Sequence, residues 1–172
     1  MNFQFSRLFF NLFFIYMILK SVIVWSSDLD KIKKIEKGVS LNNLTFLDYN
    51  KTIIKIDNKK TDFFLINFWA SWCAPCIKEM KDFSALKRRL PKIRILTISQ
   101  DSDISDALAF FKKNKYENLE QYYDFDKEIS KRFSLRGLPT TLIYNKDYEV
   151  IAKVEGIIKW DSDQFIAWLL NN

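Results

Sequence analysis

The sequence predicts an α/β fold, a central mixed β-sheet flanked by helices, on three observations. Phe63–Trp69 is nearly all apolar, as a strand covered on both faces is, and Ile93–Ser99 reads as a second buried strand. Between them Met80, Phe83, Leu86 and Leu90 recur at helical spacing, so strand, helix and strand make a βαβ unit. Composition agrees: 172 residues, 48% apolar and 28% charged, can bury one core and are too few for two comfortable domains.

The chain begins with a segment unlike the rest. Met1–Trp25 has no acidic residue, one early cation (Arg7), and the twelve-residue apolar run Leu8–Leu19, broken only by Asn11. That length suits a signal-peptide core of about 7–15 residues and falls short of the ~20 that span a membrane. Val22–Trp25 lengthens the run, but across Lys20. Residues 1–27 are expected to export the remainder of the chain, as a cleaved signal peptide or as an uncleaved membrane anchor. Residues 28–172 are then one domain in the periplasm or another extracytoplasmic space. No cysteine lies near the segment, which excludes a lipid-modified N-terminal cysteine.

Within the domain, Asp28–Lys37 is expected as a short charged helix ending at Gly38. Asn43–Asp48 and Thr52–Ile56 form a hairpin through Tyr49-Asn50-Lys51, and Asp57–Thr61 a turn. The helix after Phe63–Trp69 starts near Cys73 and is closed by Pro91. Asp103–Lys113 is a second helix with Ile104, Ala107, Leu108 and Phe111 inward, followed by a strand at Gln121–Asp124 and a helix over Lys127–Phe133. Thr141–Tyr144 and Glu149–Val154 pair around Asn145–Asp147. The last helix carries Phe165, Ile166 and Leu169 inward behind a capping pair, Asp161 and Gln164.

Composition excludes several function classes. Histidine is absent, which removes Ser-His-Asp and Cys-His nucleophile systems and imidazole metal sites. Three glycines cannot supply a phosphate-binding loop. The net charge of +6 comes from 27 cations scattered among 21 acids, not the clustered patch that nucleic acid requires. The densest runs, Lys31-Ile32-Lys33-Lys34 and Lys87-Arg88-Arg89, are expected on helices as solvated faces; the first also suits weak attraction to anionic lipid.

The two cysteines, Cys73 and Cys76, stand in Trp72-Cys73-Ala74-Pro75-Cys76, where a buried strand turns into a helix. A cysteine at a helix N-terminus faces unpaired N–H groups and the positive end of the helix dipole, which stabilise its thiolate. Cys76 is close enough to attack a mixed disulfide formed by Cys73, and Pro75 fits the first turn. Cys73 is the expected attacking thiol and Cys76 the resolving one. A zinc site would need two further ligands from carboxylates alone. Haem attachment would need a histidine where Ile77 stands.

The run Asn67-Phe-Trp-Ala-Ser-Trp-Cys-Ala-Pro-Cys76, with Gly137-Leu-Pro-Thr-Thr141 later, resembles the thioredoxin superfamily. Within it the chain is most similar to exported TlpA/ResA-like thiol-disulfide oxidoreductases. The resemblance covers roughly Leu41 to the C-terminus, with a leading hairpin and an inserted helix–strand element. It implies a thioredoxin-like fold, a redox-active Cys73–Cys76 disulfide with no other cofactor, and a cis Pro139 opposite the cysteines. A cis X–Pro bond would leave the Leu138 backbone free to pair with an extended substrate. The family's active-site glutamate falls on Glu79, on the helical face of Cys76; on residues alone a surface Glu paired with Lys is the more frequent reading, and the resemblance reverses it. Asn67 occupies a position where thioredoxins carry a buried acid, so a proton relay depends more on Glu79; a buried amide satisfied by backbone is the alternative. Trp69 is expected in the core. Trp72, Ala74, Pro75, Leu138 and Thr140 are the expected substrate contacts.

The expected function is protein thiol-disulfide exchange in the reducing direction, since Ala74-Pro75 brings no positive charge to the thiols. The resemblance implies cysteine-containing exported substrates such as apocytochrome c and a membrane thiol donor of electrons. A general disulfide oxidase or isomerase, or a non-enzymatic metal-centre assembly chaperone, are the rival readings.

Overall fold

A computed structural model describes residues 28–35, 38–56 and 61–172. The expected export segment and residues 57–60 of the expected turn lie outside the described residues. Among the described residues no helix is long and apolar enough to cross a membrane.

In chain order the strands and helices are β1 (Ile32–Lys34), β2 (Phe46–Leu47), β3 (Ile53–Ile54), β4 (Phe63–Trp69), α1 (Ala74–Arg89), β5 (Ile93–Ser99), α2 (Ile104–Asn114), β6 (Glu120–Tyr123), α3 (Glu128–Arg132), β7 (Thr140–Asn145), β8 (Val150–Glu155) and α4 (Asp163–Leu170). The strands form one sheet in the order β1-β8-β7-β4-β5-β6-β2-β3. The sheet is mixed: β4 runs parallel to β5, and β5 to β6, while β7 lies antiparallel to β4 and β8.

The alternation of a strand's side chains sorts β4 between two cores. Leu65 and Trp69 face Met80, Phe83 and Leu86 of α1 and Phe165 and Leu169 of α4. Phe64, Ile66 and Phe68 face the opposite layer with Leu96, Ile98, Leu142 and Phe46. Each such fully buried side chain is worth ~1.5–3 kcal/mol over its exposed state. Asn67 falls in the register of Leu65 and Trp69, so the central strand turns one amide toward α1.

Several expectations change. Over the described residues 28–35 the helix expected for Asp28–Lys37 does not form: Asp28–Lys31 is one 3-10 turn, and Ile32–Lys34 pairs antiparallel with β8. The edge of β8 leaves a ladder unfilled, and that pairing outweighs the local charge pattern. Consequently Lys33 and Lys34 lie on an edge strand, and Lys33 Nζ pairs with Glu155 at 3.2 Å. Leu108 is exposed, while Phe110 packs against the ring of Trp69. The last helix is capped by Ser162, whose hydroxyl accepts the Phe165 N–H, and not by Asp161. The hairpin of β2 and β3 and the α2–β6 insertion are present as expected.

Candidate active site

Strand β4 ends at Trp69, and α1 begins at Ala74 with Cys73 as its N-cap. The Cys73 sulfur accepts the backbone N–H of Cys76 at 3.3 Å, the bond an N-cap oxygen would make. No acid occupies the first turn of α1, so nothing there opposes the positive end of the helix dipole at the cysteines, while Lys87, Arg88 and Arg89 complement its other end. Cys73 and Cys76 are joined in a disulfide with Cα atoms 5.3 Å apart. Cys73 is 5% exposed and Cys76 fully buried, so an approaching thiol meets Cys73 first.

The loop that delivers the motif is held from β5. Asp101 accepts the Ser71 N–H at 3.0 Å and the Ser71 hydroxyl at 2.9 Å, and its other oxygen takes the Ser99 hydroxyl at 2.8 Å. Trp72 then projects outward, 70% exposed, beside exposed Ala74 and Pro75. Trp69 is buried, as expected.

The Leu138–Pro139 bond is cis. Thr140 is paired in register with Phe68, which places Pro139 at the end of β4 from which the cysteine loop departs. Leu138 is half-buried, ahead of the β7 ladder, and packs against the cluster that contains Cys73 and Cys76. The expectation that Thr140 contacts substrate is corrected: it is 1% exposed and lies in register between Phe68 and Glu155. Its hydroxyl closes the turn onto the Gly137 carbonyl at 2.8 Å.

Glu79 is not a surface residue. It is 2% exposed, one turn beyond Cys76, and both carboxyl oxygens accept hydrogen bonds. Oε1 accepts from Asn67 Nδ2 at 2.7 Å, and Oε2 from Trp160 Nε1 at 2.9 Å. Burial pushes the Glu79 carboxyl up to about 8, against the pull of those two N–H groups; the Asp82 carboxylate adds to the rise. An acid tuned to that range can give and take a proton near neutral pH, as thiol exchange requires. Asn67 Nδ2 also donates to Thr141 Oγ1 at 3.0 Å, so its amide nitrogen is bonded to side chains rather than to backbone, while its buried Oδ1 has no partner among the described residues.

Two contributors were not legible from residue spacing. Asp101 is a loop acid far from the motif in sequence. Trp160 follows Gly156, which takes φ +87°, a left-handed conformation suited to glycine, and donates its N–H to the Pro139 carbonyl at 2.9 Å. A buried tryptophan signals that its N–H needs an acceptor, but not which one.

Residues 37–153 match the AhpC/TSA family. A thiol-disulfide oxidoreductase ResA from Bacillus cereus is 28% identical over 155 residues, covering 88% of this chain and 89% of that protein. The thioredoxin domain of a thiol-disulfide oxidoreductase from Bacteroides vulgatus superposes with a TM-score of 0.65 at 16% identity, covering 78% of this chain and 99% of that one. A secreted Mycobacterium tuberculosis disulfide oxidoreductase homologous to E. coli DsbE does so with a TM-score of 0.62 at 17% identity, covering 76% and 96%. The fold is thioredoxin-like.

Proposed function

The chain belongs to the AhpC/TSA family, and from that premise we propose that this thiol-disulfide oxidoreductase is an extracytoplasmic reductase of protein cysteine pairs. The observation that carries the reading is the Cys73 sulfur on the N-terminal N–H of α1, covalently joined to a buried Cys76. In the dithiol form, the Cys73 thiolate attacks a substrate disulfide. A mixed disulfide forms, and one substrate sulfur leaves as a thiolate that takes up a proton. Glu79 then accepts the proton of Cys76, whose thiolate attacks Cys73. The second substrate sulfur departs as a thiolate and takes up the proton that Glu79 holds, two electrons have passed to the substrate, and the Cys73–Cys76 disulfide remains.

Exported proteins that assemble a metal centre through cysteines, apocytochrome c among them, are the proposed substrates. A membrane thiol donor would restore the dithiol. The apolar run Leu8–Leu19 and the acid-free start support export, with residues 1–27 cleaved or retained as an anchor. The secreted character of the mycobacterial relative is in keeping with this. Trp72, Ala74, Pro75 and the Leu138 backbone would form the docking surface, with an extended substrate lying along Leu138-Pro139.

The test is a Cys76→Ser variant expressed in the native cell, with disulfide-linked partners recovered and identified. Apocytochrome c or another cysteine-bearing exported protein trapped on Cys73 is the expected result. Trapping of cytoplasmic proteins alone would overturn both the location and the substrate class.

A further inference from the structure

We propose that residues 1–27, retained as an anchor, hold the cysteine end of the domain toward the membrane, where Trp72, Ile77 and Ile157 meet a membrane-embedded dithiol protein that reduces Cys73–Cys76. This rests on the reading of a reductase supplied with electrons from the membrane, and adds which face meets the donor and what brings it there.

Sheet register fixes where the chain enters the domain. Ile32 pairs with Val154, Val154 with Thr141 and Thr141 with Asn67, so the first residue of β1 is level with the upper part of β4. Trp69, where the cysteine loop begins, lies two residues further on, and Thr140 beside the cis-proline lies one. The lateral offset from β1 to β4 is three strand spacings, ~14 Å. The turn ahead of β1 is tied at this end. Asp28 accepts the Lys159 N–H at 2.9 Å, and Lys31 Nζ donates to the Ile157 carbonyl at 3.0 Å. The same loop bonds the cis-proline through the Gly156 N–H, 2.9 Å from the Pro139 carbonyl. What precedes Asp28 therefore leaves from the cysteine side, not from the end where α1 gives way to β5.

The tether is short. Eight residues, 20–27, separate the apolar run ending at Leu19 from Asp28. As a flexible coil they span ~16 Å, and fully extended ~30 Å. A domain of this size is ~40 Å across. Standing on its far end it would lift the entry point beyond the reach of the tether. An anchored chain thus keeps Cys73 on the membrane side.

Three exposed apolar side chains stand at that side: Trp72 in the cysteine loop, Ile77 in the first turn of α1 and Ile157 beyond β8. Nearby charges are matched within the domain, Lys31 with Asp28 and Lys33 with Glu155 at 3.2 Å each, and Lys159 with Asp82 at 2.8 Å. Recognition therefore falls to the apolar groups, with Trp72 as the anchor. So few contacts suffice, because a tethered domain and a membrane partner meet at high effective concentration.

The exchange balances. A thiolate of the membrane partner attacks Cys73, the more exposed sulfur, and Cys76 leaves and takes the proton held by Glu79. The partner's second thiol gives its proton to Glu79, and its thiolate attacks the partner's own sulfur in the mixed disulfide. Cys73 departs as the thiolate that the α1 N-terminus stabilises. The partner is left as a disulfide, and two electrons have passed to Cys73 and Cys76.

The test keeps the full chain in its native membrane and follows recovery of the dithiol after a pulse of oxidant, by acid quenching and alkylation. About 30 Gly/Ser residues inserted between Ser27 and Asp28 lengthen the tether from eight residues to about 38, and by the −3/2 power of length recovery is expected to slow about tenfold. Ile157→Ser, with the tether unchanged, is expected to slow it about fivefold. Both purified variants are expected to match the wild type in reduction by dithiothreitol, since neither change touches the thiols. Recovery as fast with the spacer as without it, or a mature protein that lacks residues 1–27, would overturn the proposal. The reductase reading is judged separately, by whether the purified dithiol form reduces protein disulfides, a reaction that needs no membrane.

Discussion

Asn67 Nδ2 and Glu79 Oε1 lie 2.7 Å apart, joining the central strand to the redox helix beneath the cysteines. A strand residue thereby fixes the acid that serves a helix-borne thiol. The bond exists because β4 places Asn67 in the same register as Leu65 and Trp69, facing α1, and because Glu79 follows Cys76 by one helical turn.

Burial of this acid makes stability depend on pH. Glu79 titrates at about 8 in the folded protein and at 4.5 when solvated, so between those values the folded state holds the proton more tightly. Its contribution is fully present below pH 4.5 and is shed as pH rises toward 8, at about 1.4 kcal/mol per pH unit and a few kcal/mol in all. Glu79→Gln, an isostere of the neutral acid, should therefore match the wild type below pH 4.5 and exceed it increasingly as pH rises from there toward 8. Denaturant melts of the disulfide forms from pH 4 to 9 read this; parallel curves would place the ionisation elsewhere. Resolution of a mixed disulfide by Cys76 should slow in the same variant.

Reduced protein treated with an alkylating agent at neutral pH should be labelled first on Cys73. That sulfur is the more exposed of the two and lies on the α1 N-terminus, which stabilises its thiolate. Peptide mapping after partial reaction decides it, and earlier labelling of Cys76 would reverse the two roles.

Trp72→Ala should leave stability within ~0.5 kcal/mol, because the side chain is 70% exposed. If Trp72 is a substrate anchor, KM for a protein disulfide should rise about tenfold with little change for a small disulfide such as oxidised glutathione. Equal losses on both substrates would point to a change in the thiols themselves.

Asp101→Ala should cost ~1–3 kcal/mol, since it leaves the Ser71 N–H and two hydroxyls without their acceptor. Faster amide exchange at Ser71 and slower thiol exchange should accompany the loss. A variant that is destabilised yet unaltered in exchange rate would confine Asp101 to a role in stability.

What was legible in residue order was whatever depends on neighbours in the chain. The apolar run Phe63–Trp69 specified a strand buried on both faces, the stripe from Met80 to Leu86 specified the helix packed on it, and Cys73 at their junction specified an N-cap thiol. Turn residues marked the hairpins for the same reason: Asp48 accepts the N–H groups of Asn50 and Thr52, a contact between near neighbours.

Tertiary structure decided what depends on groups brought together from afar. Ile32–Lys34 became a strand because β8 offered it a ladder, against the expectation from its own charges. Thr140 left the substrate surface because its backbone fell between two strands. The environment of Glu79 was set by Asn67, twelve residues before it, and Trp160, eighty-one after it. Spacing along α1 could bring Glu79 to the face of Cys76; only the packing of β4 and the segment after β8 could strip its water and supply the two N–H groups that hold it.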